Sequence, residues 1–273
     1  MDTSLEKGIE SMPIHATKLG ETGDVILMMH GWAQSSESMR ILGDLLSKWY
    51  QVYLIDLPGF GKTAKPKDDW DTVQYAQCIA SYIDELRLAK VHLLGHSFGG
   101  RVAIRMASRF PEKVSSVTLI NSGGLRRTVQ GKKKFRVLTS KWLGKTCKGM
   151  DSAFGTATYK NWFVPTYGSR DYLAAGEMRN TLVKAVNEDI SDDAAKIQAP
   201  TFLLWGELDD ETPVEFGRRF HALIKNSRLV VLPGKGHFPF VDEGAHLCAS
   251  YILKFLADVV PHQAAPERGA GSV

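Results

Sequence analysis

The chain has too few cysteines, too little net charge and too little unbroken apolar sequence for several large classes of protein. Its three cysteines, Cys78, Cys147 and Cys248, are widely spaced and odd in number, which argues against a disulfide framework and leaves no pair at metal-ligand spacing. A reducing compartment fits that usage. A formal charge of +4 over 273 residues is too mild to mark the whole chain as a nucleic-acid binder. No apolar run approaches the roughly 20 residues that span a bilayer. The opening MDTSLEKGIESMPIHATKLG lacks the basic start and apolar core of a secretory signal, so a cytoplasmic protein is the expectation. Residues 262–273, HQAAPERGAGSV, carry no large apolar side chain and read as a disordered tail.

What is present is a series of short, nearly continuous apolar runs: VILMMH (Val25–His30), VYLIDL (Val52–Leu57), VHLLGH (Val91–His96), VTLIN (Val117–Asn121), TFLLWG (Thr201–Gly206) and LVVLP (Leu229–Pro233). Runs of Val, Ile and Leu without polar alternation predict strands covered on both faces. Segments of helical spacing separate most of them, over Ser36–Trp49, Thr72–Leu88, Phe98–Phe110, Val214–Ile224 and Ala245–Val259. Strand and helix in alternation predict an α/β fold, a mostly parallel sheet with helices on both faces. Sites in such sheets form beyond the carboxyl ends of the strands.

Between Ser122 and Pro200 no strand pattern occurs. A connection that long predicts an inserted helical cap or lid, so residues 1–121 and 199–261 read as the core and 122–198 as the insertion. The insertion opens on a basic run, Arg126–Lys148, without an acidic residue. That run reads as a solvated helix face, with attraction to an anionic ligand as the alternative.

One motif is a decoy. DLPGFGKT, Asp56–Thr63, ends like a phosphate-binding loop, but Asp56 stands where that pattern requires glycine. Pro66 and paired aspartates follow, so no helix N-terminus opens to hold an anion. A tight turn in which Asp56 orders neighbouring loops is the reading.

Gly95-His96-Ser97-Phe98-Gly99 is a G-x-S-x-G sequence placed directly after a predicted strand and before a predicted helix, the context of a nucleophile elbow. Ser97 at the tip needs strained backbone, and strand and helix crowd beneath it, so the residues two before and two after cannot be bulky. A serine hydroxyl requires a base and an orienting acid. In chain order the acid follows a later strand, where Asp209, Asp210 and Glu211 are offered. Asp209 is favoured, because W-G-x-x-D places it in the first turn after the strand, and the alternative acid position after the preceding strand holds Asn121. The base follows the last strand, at His237 after Gly234-Lys235-Gly236. His96 is read as packing or hydrogen-bonding beneath the elbow, and His30, His92, His221, His246 and His262 as structural or surface residues. Two backbone N–H groups to stabilise an oxyanion are expected at Trp32, after the first long strand, and at Phe98. Trp142, Trp162, Phe163 and Phe238 are candidates for the substrate pocket.

HGW, DLPGFG, GHSFGG, WGELD and GKGHF, in this order and spacing, resemble the α/β-hydrolase superfamily over roughly Pro13 to Val260. The resemblance implies an eight-stranded, mostly parallel sheet, Ser97–Asp209–His237 as a triad, a small-molecule acyl substrate, and no metal or organic cofactor. Haloalkane dehalogenases and epoxide hydrolases are disfavoured, since they use aspartate where this chain has Ser97. Ring-cleavage-product hydrolases, which break C–C bonds, often carry asparagine where this chain has His96. The expectation is a carboxylesterase-like serine hydrolase. The alternatives are a C–C bond hydrolase of a vinylogous diketone and a hydrolase-fold receptor of slow turnover.

Overall fold

In the computed structural model, residues 12–126, 146–153, 155–158, 161 and 170–259 are described. Seven strands form one sheet: β1 (Ala16–Leu19), β2 (Val25–Met29), β3 (Gln51–Ile55), β4 (Val91–His96), β5 (Val114–Ile120), β6 (Thr201–Gly206) and β7 (Ser227–Leu232). Their spatial order is β1-β3-β2-β4-β5-β6-β7. β1 runs antiparallel to β3, with Ala16 opposite Ile55, and every other pairing is parallel.

The expected eight strands are therefore corrected to seven among the described residues. Between residue 12 and the start of β2 there is room for one four-residue strand and a turn, and β1 takes the edge beside β3. The sequence reading missed β1 itself. ATKL is short and only partly buried, so it lacks the apolar run that marks the inner strands.

Every residue of β2, β4 and β6 is buried, as expected for strands covered on both faces. Alternate side chains feed two cores. Leu27, Met29, Leu93 and Leu203 pack on one face with α2 (Thr72–Glu85), α3 (Phe98–Arg109) and the later helix Val214–Leu223. Ile26, Met28, Leu54 and Leu204 pack on the other with α1 (Arg40–Leu46) and the final helix Gly244–Val259. α2 begins at Asp71, whose side chain accepts from the amides of Val73 and Gln74 while Gln74 reaches back to the Asp71 amide, a reciprocal cap on its first turn.

Between β5 and β6 the described residues hold no strand. They include helical residues 146–153 and the short helices α4 (Arg170–Ala174), α5 (Arg179–Asn187) and α6 (Ser191–Ala194). The last two long helices are α7 (Val214–Leu223) and α8 (Gly244–Val259). Most of the basic run Arg126–Lys148, together with Trp142, Trp162, Phe163 and residues 262–273, lies outside the described residues.

The chain goes from β2 to β3 on one side and places β4 on the other. The order of strands thus reverses beside β2, and the crevice beyond the carboxyl ends of β2 and β4 is where this topology puts a site.

Candidate active site

Ser97 occupies that crevice, in the turn between β4 and α3, with φ +48° and ψ −105°. For a non-glycine residue this is a strained conformation, kept only where the surroundings enforce it. Here its amide donates to the Ile120 carbonyl at 3.1 Å, and its carbonyl accepts from the Gly123 amide at 3.1 Å. The flanking glycines have the steric reason expected of them. A Cβ on Gly95 would strike the Gly99 and Gly100 backbone, and one on Gly99 would strike the carbonyls of Met29 and His30.

Asp209 follows β6 with a fully buried side chain. Its Oδ1 accepts from the amides of Glu211 (2.8 Å) and Thr212 (2.9 Å). Its Oδ2 accepts from the Thr212 hydroxyl (2.7 Å), from His237 Nδ1 (2.9 Å) and from the Asn121 side-chain amide. Burial alone would raise the Asp209 pKa, but the hydrogen bonds from His237 and Thr212 outweigh it and hold the carboxyl below the usual value of 3.8. Of the acids following β6, Asp209 is therefore the one hydrogen-bonded to His237 Nδ1.

His237 sits in the loop after β7, nearly buried, and its Nε2 lies 3.3 Å from Glu211 Oε2. The Ser97 hydroxyl makes no hydrogen bond among the described residues. Acid and histidine are thus assembled, Ser97 stands beside them, and Glu211 occupies the face of the imidazole that a serine would need.

His96 is fully buried and contacts the His237 ring (centroids 4.8 Å). Its Nε2 lies 2.9 Å from the His237 carbonyl, to which it donates, while its buried Nδ1 has no partner. Burial, the largest cause, drives its pKa down to about 3, aided by the neighbouring His237. It is a neutral prop beneath the loop, as expected, and no candidate for the base.

Two backbone donors face the same space. The amides of Trp32 and Phe98 have no acceptor among the described residues, while the Gly99 amide is spent on the His30 carbonyl. Their rings pack edge-to-face at 5.3 Å and both border the cavity at Ser97. The Trp32 loop is pinned from below. His30 accepts from the Leu57 amide at Nε2 (3.0 Å), and its Nδ1 donates to the Gly31 carbonyl (2.7 Å). Asp56 accepts from the amides of Ser36 (2.7 Å) and Lys62 (2.8 Å). A Cβ on Gly61 would strike that carboxyl. The Asp56–Thr63 turn thus orders neighbouring loops.

The cavity in front of Ser97 measures about 900 Å³, the upper end of the range for small-molecule sites. Leu125, Leu182, Val186 and Phe216 give it apolar wall, and Arg101 and Glu211 give it charge. Phe238 flanks His237, ring centroids 5.0 Å apart, outside that wall. Sequence reasoning missed Thr212, Arg101 and the supporting role of Asn121. A hydroxyl three residues after the acid, in D-x-x-T, was the available signal for Thr212. Among the described residues no cluster of His, Cys, Asp or Glu could hold a metal ion, and no helix is long and apolar enough to cross a membrane.

Known proteins with similar sequences and structures point the same way as this geometry. A family model for the alpha/beta hydrolase fold matches residues 24–244. The uncharacterized protein Rv2715 of Mycobacterium tuberculosis is 26% identical over 258 residues, covering 84% of this chain and 74% of its own. The 2-hydroxy-6-oxo-6-phenylhexa-2,4-dienoate hydrolase of Burkholderia cepacia is 27% identical over 251 residues, 85% of this chain and 87% of its own. Among solved structures, a lipase-like protein of Acinetobacter baumannii AYE superposes with a TM-score of 0.70 at 23% identity, covering 91% of this chain and 89% of that one.

Proposed function

We propose that this chain, which belongs to the α/β-hydrolase family, hydrolyses a carboxylic ester or related acyl compound through an acyl-enzyme on Ser97. One observation carries the reading: a strained serine at the strand-order reversal, beside a buried Asp209–His237 pair and two unpaired backbone amides.

The steps follow from those positions. Glu211, more than half exposed, swings away as substrate enters and frees His237 Nε2. Ser97 Oγ attacks the carbonyl carbon while Nε2 takes its proton, and the amides of Trp32 and Phe98 hold the oxyanion. The C–O bond to the alcohol breaks, and the alcohol leaves with the proton from His237. Water then attacks the acyl carbon, gives its proton to His237, and Ser97 departs reprotonated. Asp209 keeps Nδ1 protonated and stabilises the imidazolium. Each oxyanion donor is worth about 2.7–4 kcal/mol of transition-state stabilisation. Residues 122–198 act as the cap, with α5 supplying cavity wall from Leu182 to Asn187.

A second reading is C–C bond hydrolysis, favoured by the likeness to the dienoate hydrolase of Burkholderia cepacia and opposed by His96. Nitrophenyl esters of graded chain length, assayed beside a 2-hydroxy-6-oxodienoate, separate the two. The ester reading expects faster ester turnover, abolished by Ser97→Ala. Efficient dienoate cleavage with weak esterase activity would replace it by the second.

A further inference from the structure

Arg101, Arg126 and Asp171 are charged groups in the cavity wall that the steps above leave unused, and Arg101 is the one packed over the nucleophile turn. It lies four residues after Ser97, one turn up α3, and its amide donates to the Ser97 carbonyl at 3.4 Å. Its side chain packs across Gly123, where an added Cβ would come within 2.6 Å of Nε. Gly123 is the residue whose amide holds the Ser97 carbonyl, so the guanidinium lies close over the nucleophile turn.

The guanidinium has five N–H donors. Among the described residues one hydrogen bond is made, from Nη1 to the Ala185 carbonyl at 2.6 Å. None of its other nitrogens is sealed away without a partner, and Arg101 is one of the residues that line the cavity.

No carboxylate of the described residues ion-pairs with it. The nearest acids are already engaged. Glu188 accepts from the Thr72 amide and hydroxyl and pairs with Arg105, and Asp189 accepts from Ser191. Burial pulls the Arg101 pKa down to about 10, which leaves it charged at neutral pH. A largely buried cation steadied only at a distance by Glu188 and Asp189, acids engaged elsewhere, stays costly, and an anion entering the cavity would relieve that cost.

We infer that Arg101 is an anion subsite and that the substrate is an acyl compound carrying a carboxylate, which the planar guanidinium fork grips while Ser97 meets the scissile carbonyl. A singly charged carboxylate fits better than a phosphate dianion, because Glu211 and Asp171 offset Arg101 and Arg126 in the same wall and leave little net positive charge for a second negative one. The inference deepens the acyl-hydrolase reading and rests on Ser97 being the reacting residue.

The test is binding to the Ser97→Ala protein, so that it does not depend on turnover. Half methyl esters of four- to eight-carbon dicarboxylic acids and ω-acetoxy carboxylates are titrated calorimetrically against their fully methylated counterparts. The anionic member of at least one pair is expected to bind about 10- to 100-fold more tightly, the worth of a charge-assisted hydrogen-bonded pair. Adding Arg101→Met should bring that ratio near one, and Arg101→Lys should leave it intermediate. A ratio, unlike a loss of binding, is not produced by general damage to the fold. Equal binding of charged and neutral members throughout, or a ratio that survives Arg101→Met, overturns the inference. A ratio that holds in an enzyme turning over no ester would leave the subsite standing and remove the hydrolase reading instead.

Discussion

Asn121 ends β5 at φ +44°, and each of its side-chain valences is used. One N–H donates to Asp209 Oδ2, the other to the Gly236 carbonyl at 3.1 Å, and Oδ1 accepts from the Gly206 amide at 3.0 Å. It therefore ties the acid to the loop that carries His237. Asn121→Asp places a second carboxyl against Asp209 and removes the donor. We expect kcat to fall by at least about tenfold, and stability to fall by about 1–3 kcal/mol for the buried groups left unmatched; steady-state kinetics and urea melts check both. Asp209 itself has a depressed folded pKa. Its contribution to stability is present above the unfolded value of 3.8 and is lost as pH falls through the lower folded value. Asp209→Asn should flatten the stability profile in that acid window; an unchanged profile would show that the carboxyl is not held by these bonds. The tight turn at Ser97 and the pairing of Asp209 with His237 were legible in the sequence because glycine spacing and chain order constrain them. The Asn121 bond to Asp209 was not, since a hydrogen bond across 88 residues leaves no local pattern.

At the scale of elements, two junctions position the site. The elbow depends on β4 and α3 passing at backbone contact, so Gly99→Ala must push the helix off the Met29 and His30 carbonyls. Overpacking of this kind costs about 1–3 kcal/mol, and here it also shifts the Phe98 amide; activity should fall further than stability does. The second junction joins α3 to the segment leading out of α5. Arg105 donates to Asp193 on α6 and to the Thr72 hydroxyl (3.1 Å), and pairs with Glu188 at 3.5 Å. Arg105→Met takes the ion pair from Glu188 and leaves Asp193 with Arg109 at 3.8 Å as its remaining cation, for a loss of about 3 kcal/mol. A denaturation midpoint unchanged by that substitution would contradict the role. The inner strands were legible because burial on both faces makes them continuously apolar. β1 was not, because a half-exposed edge strand carries no such run.

For the whole molecule, buried histidines make stability depend on pH. His30, His92 and His96 all have pKa values lowered from 6.5, chiefly by burial. Below pH 6.5 the unfolded chain binds protons at these sites that the folded chain refuses. Stability is therefore full above the unfolded value and declines as pH falls toward each folded value, by at most about 1.4 kcal/mol per pH unit for each histidine. Melting temperature should drop steadily from pH 6.5 to 5, and His96→Asn, which keeps a donor for the His237 carbonyl, should reduce the slope. A melting temperature flat across this range would show that the three rings are not buried as neutral groups. The seven strands of the described residues, in an order that reverses beside β2, place His30, His96, Ser97 and the Asp209–His237 pair at the carboxyl ends of the parallel strands, and the sequence could not reveal that convergence, because strand order is not written in any local pattern.

The most direct test of the central claim is to mix the protein with a nitrophenyl ester, quench within one turnover, and map the added mass by peptide mass spectrometry. The account predicts an acyl group on Ser97 that forms within the first turnover and is absent in Ser97→Ala. Ester turnover that persists in Ser97→Ala, or an acyl group mapped to another residue during turnover, would contradict it.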